Sequence, residues 1–383
     1  MNIILVGTAY PYRGGLAAFN ERLAVQFVKE GQNVTIVTFS LQYPSFLFPG
    51  KSQYLDAPPP ENLRIKRLVN SVNPLSWIRA GNMIRKEKPD ILIFKYWLPF
   101  MAPAFGTIAR IARRNNHTKV ITIFDNVIPH EKRPGDNILT RYYTSAIDGA
   151  VVMSESVIKD LALFRKDIPV KLNPHPVFDN FGPAVERDIA LGTLGLDPGN
   201  SYILFFGFIR HYKGLDLLLE AFARKEMRNR KIKLIIAGEF YDDPAPYREI
   251  IERNNLGSEV LLFDRFINDN EVASFFSVAD IVVQPYRSAT QSGVTQIAYH
   301  FGKPMIVTDA GGLREIVPDC KCGYVVSPDK DAIFEAIDRF YSLNKKAEFT
   351  GNVIAEKEKY SWSRMTSSIT EVYKNSSKND NKK

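Results

Sequence analysis

Four stretches of this 383-residue chain combine residue types that can do chemistry with a spacing that would expose them. Ser288–Gly293 holds small and hydroxylated residues ahead of a helical stripe of Val294, Ile297, Ala298 and Phe301. Backbone amides at such a helix start can face an anion. Gly14 and Gly15 open a second stripe, Leu16, Phe19, Leu23 and Phe27, capped by Gly31. A glycine pair there lets backbone come close to a bulky anion or a sugar. Phe124–Asp136 (FDNVIPHEKRPGD) gathers Asp125, Asn126, His130 and Glu131, which have acid–base and hydrogen-bonding capacity. Gly207–Gly214 (GFIRHYKG) is a basic loop carrying Arg210, His211 and Lys213. A plain structural role stays open for each: a β–α–β connection, a loop-to-helix turn, a structural histidine, a solvated basic loop.

The elements that must position these residues are read from periodicity. Asp280–Thr308 runs strand, glycine-bearing loop, helix, turn, strand, with apolar runs at Ile281–Val283 and Met305–Val307 that suit buried parallel strands. In the amino-terminal half, strands are expected at Asn2–Gly7, Val34–Phe39, Leu63–Arg67, Ile91–Lys95, Val120–Phe124 and Ala150–Met153, alternating with helices. The alternation predicts a doubly wound parallel sheet, whose ligands bind at the carboxyl ends of its strands. Residues 174–200 carry prolines at 174, 176, 183 and 198 with little periodicity, which reads as a linker. The pattern restarts at Tyr202–Phe206 and continues through Lys233–Ala237, Val260–Phe263 and Tyr324–Val326. Two α/β halves are therefore expected, residues 1–175 and 200–360. A tail at 376–383 is expected to be disordered.

Two apolar stretches could meet an acceptor. Ser40–Asn62 is long and irregular and carries Tyr43, Phe46, Phe48 and Tyr54; such loops are usually functional or mobile. Its aromatics suit a sugar or lipid, or fold back on the domain. Tyr96–Phe105 (YWLPFMAPAF) could line a pocket, touch a membrane surface, or pack in the core.

The composition narrows the partners. At 45% hydrophobic residues the chain can bury two domain cores, and its net charge of +8 suits an anionic partner such as a nucleotide diphosphate. No arginine-rich arm points to nucleic acid. Cys320 and Cys322 form neither a zinc pattern nor a disulfide framework, so a reducing compartment is the default. Met1 leads straight into a strand, leaving no room for a signal peptide, and no apolar run approaches membrane-spanning length. The expected location is cytoplasmic, with peripheral association at the inner membrane face left open.

Arg210-His211-Tyr212-Lys213-Gly214 and Gln284–Pro304 resemble the GT-B glycosyltransferases of family 4, and the two-domain organisation is similar over nearly the whole chain. The resemblance implies two Rossmann-like domains facing an inter-domain cleft, the second holding a UDP- or GDP-sugar and the first most of the acceptor. It implies that a final helix, about 361–375, packs back on the first domain. Lys213 matches the family lysine on the donor diphosphate, Gly14 and Gly15 match the amino-terminal glycine pair, and Arg265, Phe266 and Ile267 lie in the segment that frames the base. Three departures stand out. Phe208 occupies the usual arginine position, with Arg210 as substitute. Asp125 stands where the family often has a histidine, with His130 the nearest imidazole. The paired glutamates, E-x7-E, are absent: their positions fall near Ala289 and Ile297, so Thr290, Gln291, Ser292, Gly293 or Gln296 would meet the donor.

The implied reaction is retaining transfer of a hexose to a glycan or lipid-linked acceptor in bacterial-type glycan assembly. Arg210 and Lys213 would stabilise the leaving diphosphate, and a donor phosphate oxygen would take the acceptor proton. No carboxylate cluster suggests an obligatory metal. Rival readings are a GT-B sugar-nucleotide epimerase and a catalytically silent sugar-nucleotide binding protein, the latter favoured by the missing glutamates. A dinucleotide-linked dehydrogenase lacks its glycine fingerprint in both halves.

Overall fold

The computed structural model describes residues 1–44, 53–55, 58–129, 133–228, 230–289 and 292–380. The chain divides into two compact units, residues 1–174 with 362–383, and residues 175–361.

Unit 1 runs β1 (Asn2–Val6), α1 (Gly15–Lys29), β2 (Asn33–Leu41), β3 (Arg64–Asn70), α2 (Pro74–Glu87) and β4 (Ile91–Tyr96). It continues with α3 (Ala102–Arg113), β5 (Lys119–Phe124), α4 (Asp136–Thr144), β6 (Gly149–Val152), α5 (Glu155–Ala162) and β7 (Val170–Leu172). Its seven strands are ordered β3-β2-β1-β4-β5-β6-β7, and every pairing is parallel. The strands are near-continuous apolar runs because both faces are covered. On β4 the alternation is plain: Leu92, Phe94 and Tyr96 enter the core with α3 and α4, while Ile91 and Ile93 face α1. The edge strand β7 escapes periodicity reading because it is only three residues long.

Unit 2 opens with α6 (Arg187–Leu194), inside the segment read as a linker; Ala190 and Leu191 are buried in the unit's core. Then come β8 (Ser201–Phe206), α7 (Leu215–Phe222), α8 (Lys225–Arg228), β9 (Ile232–Ala237), α9 (Ala245–Arg253), β10 (Val260–Phe263) and α10 (Asp269–Val278). β11 (Ile281–Gln284), α11 (Gly293–His300), β12 (Met305–Thr308), α12 (Leu313–Ile316), β13 (Gly323–Val326), α13 (Lys330–Ser342) and α14 (Lys346–Lys357) complete it. The sheet order is β10-β9-β8-β11-β12-β13, again parallel throughout. Two apolar layers sandwich it, one with α10 and α11, the other with α7 and α13.

The last helix, α15 (Trp362–Asp380), belongs to unit 1, where Trp362, Met365, Ile369 and Val372 are buried against Phe19, Ile121 and Val151. The tail expected to be disordered from 376 starts inside this helix. Ser376 is buried and donates to the Tyr373 carbonyl at 2.8 Å, which carries the helix past the last apolar contact.

In each sheet the strand order reverses direction beside the first strand of its unit, between β1 and β4 and between β8 and β11. Ligands of open α/β sheets bind at such reversals, outside the carboxyl ends of the strands.

Candidate active site

The reversal in unit 2 brings together the loops after β8 and β11. Gly207 leaves β8 with φ +92°, a conformation open to glycine, and a Cβ there would lie 3.2 Å from the Lys213 ammonium and 3.6 Å from Val294. His211–Lys213 form one turn of 3-10 helix, and Gly214 turns left-handed to start α7. A Cβ on Gly214 would stand 2.0 Å from the Pro285 carbonyl, so only glycine lets the two loops touch. Arg287 fastens them: its guanidinium forks onto Asp216 at 2.8 and 2.6 Å and also donates to the His211 carbonyl at 3.0 Å. Its backbone amide donates to the Tyr212 carbonyl at 2.7 Å. Burial alone would raise the Asp216 carboxyl, yet the Arg287 fork outweighs it and holds the pKa below the usual value.

Lys213 is therefore placed by its own loop, buried with 8% exposure beside the first turn of α11. Among the described residues neither Lys213 nor Arg210 has an ion-pair partner; the Arg210 guanidinium lies 4.8 Å from the Tyr241 ring. Burial, and after it the Arg210 charge, push the Lys213 pKa down to about 8. Two cations gathered at a strand exit without a counterion among the described residues suit an anionic ligand.

Other expected donor residues divide. Ile267 is a core residue, 6% exposed, because its loop folds under α10. Arg265 is held by Glu271, which also closes the capping box on Asn268 at the start of α10. Phe266 is exposed, 6.1 Å from Phe208, which itself lies 4.5 Å from Tyr241. This aromatic group spans the exits of β8, β9 and β10. Tyr241 was not singled out in the sequence, although an aromatic just past a strand exit is a readable signal.

Thr290 and Gln291 lie outside the described residues. Ser292 caps α11, but its hydroxyl donates to Gln284 Oε1 at 2.6 Å and does not point outward. Gly293 begins the helix under the Phe178 ring, 3.0 Å from where a Cβ would stand. Of the two positions matched to the absent glutamates, Ala289 packs on the core and Ile297 is 7% exposed within it. Gln296 beside it is fully buried, and neither its amide nitrogen nor its oxygen has a hydrogen-bond partner. Glu239, half-buried at the exit of β9, is a carboxylate on the same side of the sheet.

In unit 1, Gly14 takes φ +103° as the N-cap of α1, and both Gly14 and Gly15 have open space where a side chain would be. Asp125 follows β5 and accepts from the Lys95 ammonium at 2.6 Å through Oδ1. His130 and Glu131 lie outside the described residues. The stretch Tyr96–Phe105 is chiefly core: Tyr96, Met101 and Phe105 are fully buried, with Trp97 and Phe100 packed against them. Tyr43 folds back, accepting from Trp97 Nε1 at 2.8 Å and stacking on Phe100. Tyr54 is exposed at 46% beside Tyr12, while Phe46 and Phe48 lie outside the described residues. Among the described residues no group of three or more His, Cys, Asp or Glu could hold a metal ion, and no helix is long and apolar enough to cross a membrane.

Comparison with known proteins bears on this geometry. Residues 187–357 match the family described as Glycosyl transferases group 1. D-inositol 3-phosphate glycosyltransferase 2 of Catenulispora acidiphila is 27% identical over 218 residues, 54% of this chain and 50% of that protein. The chain thus spans half the length of that relative. An uncharacterized glycosyltransferase of Methanocaldococcus jannaschii is 24% identical over 98% of both chains. Among solved structures, a glycosyltransferase from Rickettsia africae superposes with a TM-score of 0.76 at 19% identity, over 99% of both chains. Anabaena HepE in complex with UDP-glucose superposes with a TM-score of 0.70 at 15% identity, over 97% of this chain and 98% of that one. Both likenesses show the two-domain GT-B fold.

Proposed function

We propose, from the match of residues 187–357 to the family described as Glycosyl transferases group 1, that the chain moves a hexosyl group from a nucleotide-diphosphate sugar to a glycan or lipid-linked acceptor with retention of configuration. The observation that carries the reading is Lys213, buried beside Arg210 at the exit of β8 with no counterion among the described residues. A diphosphate supplies the missing charge. HepE, which shares the fold, is described in complex with UDP-glucose, which supports a UDP-sugar as the first donor to try.

In this reading the bond from the anomeric carbon to the diphosphate oxygen breaks, and Arg210 and Lys213 meet the charge that develops on that oxygen. The acceptor hydroxyl attacks from the face the diphosphate leaves, and its proton passes to a donor phosphate oxygen. Asp125 is the acceptor-side group that takes a hydrogen bond from the acceptor hydroxyl next to the attacking one and so orients the acceptor. Gly14 and Gly15 leave open space at the start of α1 where a bulky anion or a sugar can come close to backbone. Phe266, with Phe208 and Tyr241, offers the base an aromatic surface. Glu239, half-buried at the exit of β9, is the carboxylate of unit 2 offered to sugar and ribose hydroxyls in place of the absent glutamates.

The test is a thermal-shift and calorimetric screen of UDP, GDP, ADP and their hexose conjugates, followed by transfer assays on acceptors for whichever binds. Tight binding of one nucleoside diphosphate, lost in Lys213→Ala, is expected. Absence of binding by every diphosphate would end the reading. Binding without transfer to any acceptor would favour the silent binding protein, which the apolar Ala289 and Ile297 also suit.

A further inference from the structure

We propose that Lys95 is a positioning residue for the transfer, holding the Asp125 carboxylate in one orientation so that its second oxygen, Oδ2, accepts from the acceptor hydroxyl next to the attacking one. The inference rests on the reading of Asp125 given above and adds a residue to it.

Lys95 stands at an odd place for a charge. It is the fifth residue of β4, in the run ILIFKY whose other members are all apolar or aromatic, and it is 1% exposed. Strand alternation turns it to the same face as Ile91 and Ile93, toward α1. There its ammonium sits 3.6 Å from the centroid of the Phe19 ring and 3.9 Å from the Met153 sulfur. Its charged partner is Asp125 Oδ1, at 2.6 Å, with the carboxylate 22% exposed. The other side chains shown against the pair, Phe19 from α1 and Met153 after β6, carry no charge.

A buried ammonium is costly to keep, and a methionine or leucine would fill this site at no such cost. Burial indeed drives the Lys95 pKa down, and Asp125 opposes it. The geometry shows what the charge does. Both carboxyl oxygens of a free aspartate rotate about χ2; with Oδ1 tied to a fixed ammonium, Oδ2 is left as the outward acceptor. Among the described residues Oδ2 makes no hydrogen bond. The Asp125 amide, donating to the Tyr96 carbonyl at 3.0 Å, pins the backbone as well. More buried polar groups surround the spot: Thr8 Oγ1 and Asn20 Oδ1 have no hydrogen-bond partner, and a Cβ on Gly7 would lie 2.5 Å from Asn20 and 3.5 Å from Lys95 Cβ. The carboxyl ends of β1, β4 and β5 thus converge on one polar point, at the strand reversal of unit 1.

The experiment is steady-state kinetics, with kcat and KM separated, for Lys95→Met, Asp125→Asn and the double variant. Lys95→Met is expected to lower kcat by roughly tenfold to a hundredfold, since a misplaced group costs on that order, while the donor KM stays put. In an Asp125→Asn background, Lys95→Met is expected to cost nothing further. Wild-type kcat in Lys95→Met, or losses that multiply in the double variant, would overturn the proposal. Full activity in Asp125→Asn would instead overturn the acceptor-side reading of Asp125 itself. If Lys95→Met does not fold, Lys95→Gln replaces it, with carboxyl-carbon NMR following Asp125 directly. If neither folds, the Lys95 ε-carbon resonance decides: it must titrate at lower pH in Asp125→Asn than in wild type, and an unchanged titration would refute the pairing.

Discussion

At the scale of single residues, Lys213 sets function against stability. Its folded pKa, about 8, lies below the roughly 10.4 of an unfolded lysine, so the folded state binds the proton less readily. The unfolded chain therefore binds more protons between those two values, and stability rises with pH across that window; below pH 8 the full penalty is present. Lys213→Met is expected to raise unfolding stability at pH 7 by about 1–3 kcal/mol while abolishing turnover. Denaturant titration beside an activity assay checks both halves; a variant that is both inactive and less stable would show that Lys213 is a packing residue. The same group sets the basic limb of kcat/KM. Diphosphate binds the ammonium form, so kcat/KM is expected to fall as pH rises through about 8 in the wild type. A profile flat to pH 9 would remove Lys213 from the donor site.

At the scale of elements, two strand exits must stay in register for a donor to meet both cations and the start of α11. The Arg287–Asp216 fork does this, and its partly exposed groups make it worth about 1–3 kcal/mol. Asp216→Asn is expected to lower the melting temperature by several degrees and weaken diphosphate binding at least about tenfold, although Asp216 itself is an acid. Calorimetry with the bare nucleoside diphosphate checks it: tighter binding after removal of the carboxylate would mean that Asp216 repels the ligand and does not place its site. This pair spans 71 residues, which is why no reading of spacing reveals it. The placing of Arg210 and Lys213 together at the exit of β8 was legible because cations on a glycine-bounded loop after an apolar run carry their own context. Lys95 was not, since a lysine near the end of ILIFKY reads as the point where a strand meets solvent. The alternation of strands and helices was likewise written in apolar period and turn residues. α6, eight residues long behind a run of prolines, was not, because only packing against β8's core turns that segment into a helix.

At the scale of the molecule, the chain passes from unit 1 to unit 2 at 174 and returns at 361, so unit 1 is completed by a segment that follows unit 2 in sequence. The returning helix α15 has a buried stripe, Trp362, Met365, Ile369 and Val372, spaced to one face. Trp362 packs edge-on to Phe19 at 5.1 Å, and the Arg22 guanidinium lies 5.2 Å from its ring. Val372 comes within 2.4 Å of where a side chain on Gly149 would stand, so β6 is shaped to receive this helix. Burying a large apolar side chain is worth ~1.5–3 kcal/mol, so the four together contribute on the order of 6–12 kcal/mol as an upper value. That matches the whole net stability of an ordinary domain, roughly 5–15 kcal/mol. Ending the chain at Ser361 is therefore expected to unfold unit 1 and leave unit 2 folded. Hydrogen exchange resolves the two: amides of β5 and β6 should lose protection while those of β8, β9 and β11 keep theirs. Because the cations proposed to hold the donor lie wholly in unit 2, the truncated chain should still bind nucleoside diphosphate and transfer nothing. Equal loss of protection in both sheets would mean that the units fold as one, and retained turnover would place the acceptor chemistry outside unit 1.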